Sequence, residues 1–190
     1  MYLNDKEIRP ALINFLETRA KKPKKVVEEL SVSYCNARAD IVGVYNTLHC
    51  FEIKGQTDSI QRINAQGKYY NTSFLKITLV TTKNHLEYAI KNAPPFWGIL
   101  LAFSLNGETH FKYVRKATKN PYFNKEEALH TLWKNELMSL SESNSVDVKK
   151  TMSKDTISKL ISNIFSDNYI AESISKYILN RTYGLIKLYI

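Results

Sequence analysis

The sequence predicts an α/β fold, a central mixed sheet flanked by helices, plus a C-terminal helical pair. Three observations predict it. Runs with strand-like and helix-like periodicity alternate as α-β-β-β-α-β-α-β-β. Two short runs, Ala39–Tyr45 and Leu48–Lys54, are dense in β-branched, aromatic and apolar residues and meet at Asn46 as a hairpin. Asn106-Gly107 lies between two further strand-like runs and is a strong hairpin-turn signal.

The elements follow in order. Asn4 or Asp5 caps a helix to about Arg19, with Ile8, Ala11, Leu12, Phe15 and Leu16 on one face. Pro10 falls in its first turns, where proline is best tolerated. A basic run, Arg19 to Lys25, precedes a first strand at Val26–Ser33. The hairpin comes next, then a helix from about Asp58 to Asn71, with Asp58 and Gln61 as a capping pair. Leu75–Thr81 is a strand, Asn84–Lys91 a short helix, and Phe96–Phe103 and Thr109–Val114 the last two strands. Asn124–Leu140 reads as one helix with Leu129, Leu132, Trp133, Leu137 and Leu140 on its buried side.

This order divides the chain into a domain at 1–138, a polar serine-rich linker at 139–150, and a helical appendage at 151–190. Ile157, Leu160, Ile161, Ile164 and Phe165 mark the first appended helix. Ile170, Ile174, Tyr177 and Ile178 mark the second. Two short helices cannot bury such faces alone, so they must pack on the main domain, on a partner protein, or on a second copy as a homodimer.

Composition narrows the function. The chain has 190 residues, 44% of them hydrophobic, a net charge of +9 and a sequence pI of about 9.4. Its size suits a single core. The charge suits a polyanion, nucleic acid first and DNA in particular. No apolar run spans a bilayer and the N-terminus lacks the apolar stretch of a signal peptide, so a cytoplasmic location is expected. Cys35 and Cys50 form no C-x-x-C, and His49, His85, His110 and His130 are scattered. Zinc hydrolase and iron–sulfur readings have no support. Neither a phosphate-binding glycine loop nor a G-x-S-x-G elbow is present.

The chemistry-bearing feature is Glu52-Ile53-Lys54 with Asp40 upstream. Strand side chains alternate, so Glu52 and Lys54 share a face. Two carboxylates and an ammonium on one sheet face are costly in an apolar core. Phosphodiester hydrolysis gives a reason to hold them: the carboxylates take Mg²⁺ or Mn²⁺, and the lysine places the attacking water. Asp58, Arg62, Gln66 and Tyr70, spaced by four, form a polar stripe opposite Ile60, Ile63 and Gly67.

These residues resemble the PD-(D/E)XK nuclease superfamily. The likeness rests on Asp40, then Glu52-Ile53-Lys54, then a helix with Gln66-x-x-x-Tyr70, in an α-β-β-β-α-β order. The run from Val26 to Ala102 is further similar to a family of small bacterial and phage nuclease-like proteins. The motifs concerned are E-E-L, A-R-A-D-I, F-E-I-K, D-S-I-Q-R-I-x-x-Q-x-x-x-Y and P-P-F-W-G, with L-W-x-x-E at Leu132 to Glu136. The resemblance implies a restriction-endonuclease-like core and a metal-dependent nuclease. Asp40, Glu52 and the backbone carbonyl of Ile53 would ligate the metal, with Glu7 or Glu29 as a further ligand. Lys54 would activate water and Gln66 would support the site. By their charge Lys21, Lys22, Lys24 and Lys25 form either a solvated loop or a phosphate-contacting edge; on the second reading they would hold nucleic acid with Arg38, Arg62 and Tyr70. Position 39 is alanine where the superfamily name has proline. The alternative is a catalytically inactive nucleic-acid-binding or protein-interaction module on the same fold.

The hairpin register tests this reading. A two-residue loop of Asn46 and Thr47 would set Asp40 across from Ile53 and turn it away from Glu52 and Lys54. The chemistry requires an odd-length loop or a bulge, Gly43 being its natural place, with Asp40 opposite Glu52 or Lys54.

Overall fold

The computed structural model describes residues 2–181. Helix α1 (Asp5–Glu17) leads into a meander of β1 (Lys25–Val32), β2 (Ala37–Val44) and β3 (Leu48–Lys54). Helix α2 (Arg62–Ser73), β4 (Lys76–Thr81), a 3₁₀ turn at Lys83–His85 with α3 (Leu86–Asn92), β5 (Gly98–Leu105) and β6 (Glu108–Arg115) follow. Four helices close the described chain: α4 (Lys125–Leu129), α5 (Lys134–Glu142), α6 (Lys154–Ile164) and α7 (Asp167–Asn180). The fold is α/β, with one six-stranded mixed sheet in the order β1-β2-β3-β4-β5-β6. β1–β2, β2–β3 and β5–β6 pair antiparallel, while β3–β4 and β4–β5 are parallel and connected through α2 and α3.

Each face of the sheet has its own core. One face carries Val42, Cys50, Ile77 and Ile99 beneath α2, α3 and α4–α7. The other carries Ile41, Phe51, Ile53 and Val80 beneath α1, whose Ile8, Leu12 and Leu16 are buried as the spacing predicts. Ile157, Ile161, Ile170, Ile174 and Ile178 of α6 and α7 belong to the first core. Their apolar faces are therefore covered within this chain. Positions 182–190 of the expected appendage lie outside the described residues.

Two helices differ from expectation. α2 begins at Arg62, one turn late. Asp58 does not pair with Gln61; its Oδ2 accepts from Gly55 N at 2.7 Å and closes the turn after β3. The helix expected at Asn124–Leu140 is two, broken between Leu129 and Lys134. No proline or glycine breaks it. Lys154 Nζ donates to His130 O at 2.6 Å, Arg181 donates to Thr131 O at 2.9 Å, and Trp133 N donates to Glu136 Oε2 at 2.7 Å, so the carbonyls freed at the break are satisfied by distant groups and the amide by a cap three residues on. α5 also extends into the expected linker, where Ser141 is fully buried and donates to Leu137 O. No helix among the described residues is long and apolar enough to cross a membrane.

Candidate active site

The β2–β3 loop is Tyr45-Asn46-Thr47, an odd-length connection. Val44 pairs with Leu48, and the register runs through Ile41–Phe51, so its next step sets Asp40 across from Glu52. The loop sets this register without a bulge at Gly43, which pairs regularly with His49. Across β1, Glu29 stands opposite Asp40 between the Glu28–Ile41 and Leu30–Ala39 pairs, with a left-handed φ of 56°. The alternation of faces resets there. Val27 and Leu30, three apart, both point into the α2-side core, as do Ala39 and Val42. A left-handed non-glycine residue costs about 1–3 kcal/mol, and such strain concentrates beside functional sites.

Glu52 and Lys54 lie on one face and are buried. Lys54 Nζ donates to Glu52 Oε1 at 2.5 Å and to Gln66 Oε1 at 3.1 Å. Tyr70 OH donates to Glu52 Oε2, its oxygen 2.8 Å from that atom and likewise from Arg38 O, so it is shared between the two. Asp40 Oδ2 accepts from Ile53 N at 2.7 Å. Asp40, Glu52, Lys54, Gln66 and Tyr70 thus form one cluster at the carboxyl end of β3. Burial, then the neighbouring Glu52 charge, pushes the Asp40 carboxyl up to about 7, against the lowering effect of the Ile53 N–H and of Lys54.

Several expected roles change. Tyr70 is fully buried and serves Glu52, so it does not face nucleic acid. Burial, then Glu52, raises its phenol well above the usual value, keeping it a donor. Glu7 caps α1, accepting from Asn4 N at 3.0 Å, and is taken up there rather than at the cluster. Glu29 pairs with Arg9 at 2.9 Å and Arg38 at 3.7 Å. Arg62 and Arg38 are exposed at this end of the sheet, where a substrate can reach them. Lys25 is a strand residue whose ammonium is bonded to the carbonyls of Leu179 and Arg181. Lys21, Lys22 and Lys24 line a cleft of about 580 Å³ with His49 and Lys76. That cleft sits at the start of β3 and, by the alternation of His49 and Glu52, on the opposite face. At ~3.3 Å per residue it is about 16 Å along the strand from Lys54. The basic loop and the carboxylates therefore do not line one groove.

Arg9 was not foreseen. It reaches from the polar side of α1 to Asp5 at 2.9 Å, to the Asp40 carbonyl at 2.9 Å and to Asp40 Oδ1 at 3.6 Å. The helical pattern shows Asp5 and Arg9 as an i,i+4 pair; nothing in it points Arg9 at a strand 31 residues away.

The donor set fits a hard divalent cation in part. Among the described residues no three His, Cys, Asp or Glu side chains group to hold a metal. Asp40 and Glu52 are two. Mg²⁺ characteristically binds through one or two carboxylates, with water and substrate phosphate completing its shell, and seldom uses an all-protein cage.

Residues 1–185 match a family model described as bacteriophage P4 protein cII. Protein cII of Enterobacteria phage P4 is 28% identical over 180 residues, covering 94% of this chain and 68% of that protein. Among solved structures, the SPO1766 protein of unknown function from Silicibacter pomeroyi is similar at a TM-score of 0.37 and 16% identity, over 67% of this chain and 84% of that one.

Proposed function

The chain belongs to the bacteriophage P4 protein cII family, and within that family we propose that it is a metal-dependent nuclease acting on DNA. One observation carries this reading: a buried Glu52–Lys54 pair, with Asp40 opposite, held by Gln66 and Tyr70. Burying such charges costs several kcal/mol per ion before pairing, and a merely structural pair is often replaced by apolar residues without loss. We read the core accordingly as restriction-endonuclease-like, with the aspartate on β2 and E-x-K on β3.

In this mechanism Asp40 and Glu52 would hold Mg²⁺ or Mn²⁺, which when bound offsets phosphate charge and lowers the pKa of a bound water. Tyr70 orients Glu52 by donating to Oε2. Gln66 accepts from Lys54 and holds its ammonium at the cluster. Lys54 then presents its remaining donors to the attacking water and to phosphate oxygens as charge develops. Arg62 and Arg38, exposed at the same end, meet the flanking backbone.

The test is cleavage of labelled single-stranded, duplex and flapped DNA in Mg²⁺, Mn²⁺ and EDTA, with Asp40→Asn and Lys54→Ala beside the parent. Metal-dependent cleavage lost in both variants is expected. Wild-type-like cleavage by either variant places the chemistry elsewhere. One observation favours the second reading, a non-catalytic module: Arg9 already sets a cation against Asp40 and Glu29. Absence of cleavage together with no metal-dependent change in melting temperature selects that reading.

A further inference from the structure

A second cleft, of about 380 Å³, begins at Glu29, directly across the sheet from Asp40. It runs past the β1–β2 connection to α4, α5 and α6. Two aromatic side chains stand on its rim. Trp133 is 56% exposed and Tyr34 is 49% exposed, against 1% for Trp97, the other tryptophan of the chain. Each ring is backed by a cation on one face: Arg181 lies 4.2 Å from the Trp133 centroid, and Lys154 lies 5.1 Å from that of Tyr34. Tyr34 also packs on the His130 ring at 4.3 Å and donates to Asp155. The rings are therefore positioned, not loose, and an ordered aromatic left half in water marks an interaction surface.

Two further features mark the cleft. Ser33, Tyr34 and Cys35 are consecutive residues with left-handed φ of 49°, 57° and 66°, a strained connection that carries Tyr34 to the cleft. His130 lines the cleft with its side chain only 5% exposed, and both ring nitrogens lack a hydrogen-bond partner, standing 3.6 Å from Glu127 and 3.4 Å from Asp155. Buried polar nitrogens are nearly always satisfied. Here their nearest partners are the Glu127 and Asp155 carboxylates, which hold the ring against Tyr34.

We propose that this cleft takes an unpaired nucleotide of the substrate strand, its base against Trp133 and Tyr34. The proposal rests on the nuclease reading for where the strand enters, because the cleft opens beside Asp40. Every base has a π-face, so stacking is tolerant of sequence. A paired base is already stacked within its duplex and gains nothing from these rings without first being unpaired. The chain then prefers single-stranded or frayed DNA over intact duplex.

The experiment is equilibrium binding of the full chain, in EDTA, to a 12-nucleotide oligothymidylate and to a 12-base-pair duplex, read by anisotropy and by tryptophan emission. The single strand should quench the Trp133 emission and bind at least tenfold tighter than the duplex. Trp133→Ala, which keeps the backbone bond to Glu136, and Tyr34→Ala should each weaken single-strand binding by ~5- to 150-fold, the range for losing one stacked base. Tyr34→Phe keeps the ring and should bind like the parent. Equal affinity for both DNA forms, alanine variants within twofold of the parent, or Tyr34→Phe as weak as Tyr34→Ala would each overturn the proposal. Ring-dependent binding without metal-dependent cleavage overturns the nuclease reading alone. Cleavage with ring-independent binding overturns this inference alone.

Discussion

Asp40 is where the cost of the site is concentrated. Its folded carboxyl titrates near 7 and its unfolded one near 3.8. Between those values the folded state binds more protons than the unfolded state. Stability attributable to this group is thus complete below about pH 3.8 and is lost as pH rises through 7. Asp40→Asn should therefore melt higher than the parent at pH 8 without metal, and the two should converge near pH 4; calorimetry at both values checks it. Equal melting at pH 8 would mean that Arg9 and the Ile53 N–H fully compensate the charge. Tyr70→Phe removes the hydroxyl serving Glu52 and the Arg38 carbonyl. A buried acceptor left unpaired costs about 1–3 kcal/mol, so urea denaturation should show a loss of that size, together with slower cleavage. Asp40, Glu52 and Lys54 stand out in the sequence because their chemistry is conspicuous in apolar strands, and Gln66 because it shares a four-residue helical spacing with Tyr70. Tyr70 was legible as a member of the site but not in its role, since spacing places a residue on a helix without saying whether that side is wet.

The strands were legible because β-branched runs and the Asn106-Gly107 turn leave few alternatives. Helix boundaries were less so, for reasons particular residues make plain. Asp58 has a choice of partners, and the tight turn after Lys54 takes it first. Gly55 is required in that turn by close approach: a Cβ there would stand 2.6 Å from Asn4 Cα and 2.9 Å from the Leu3 carbonyl. Gly55→Ala should push the N-terminal segment away, break the 2.8 Å bond from Gln56 N to Leu3 O, and accelerate exchange of that amide. The break between α4 and α5 was only partly visible locally: Glu136 caps Trp133 N from three residues away, but the freed carbonyls are taken by Lys154 of α6 and by Arg181. α1 carries the whole of its face, so Leu12→Ala should destabilise by about 2–5 kcal/mol, as measured by denaturant midpoint. The same helix holds Arg9 against Asp40, so Arg9→Ala should also raise the affinity of the cluster for Mn²⁺ in titration calorimetry.

At the scale of the molecule, the basic residues Lys21, Lys22 and Lys24 stand apart from the carboxylates. Replacing Lys21, Lys22 and Lys24 by Gln should lower the salt slope of DNA binding by ~0.7–0.9 for each phosphate that is no longer neutralised. The single-turnover cleavage rate on a saturating short substrate should not change, because those lysines sit at the far end and on the far face of the sheet. A fall in that rate would put the two ends of the sheet on one substrate path. Sequence showed that a basic loop exists; only the alternation of His49 and Glu52 in three dimensions shows which way it faces. The tie between Lys25 and the Leu179 carbonyl has a consequence in time. It joins partners 154 positions apart, and Ser175 likewise reaches the Tyr45 carbonyl across 130. At a synthesis rate of ~5–20 residues per second, the first strand waits on the order of ten seconds for α7 to emerge from the ribosome. Throughout that wait the part of β2 and β3 that α7 covers lies open, so a nascent chain arrested before α7 should bind a chaperone that the finished protein does not.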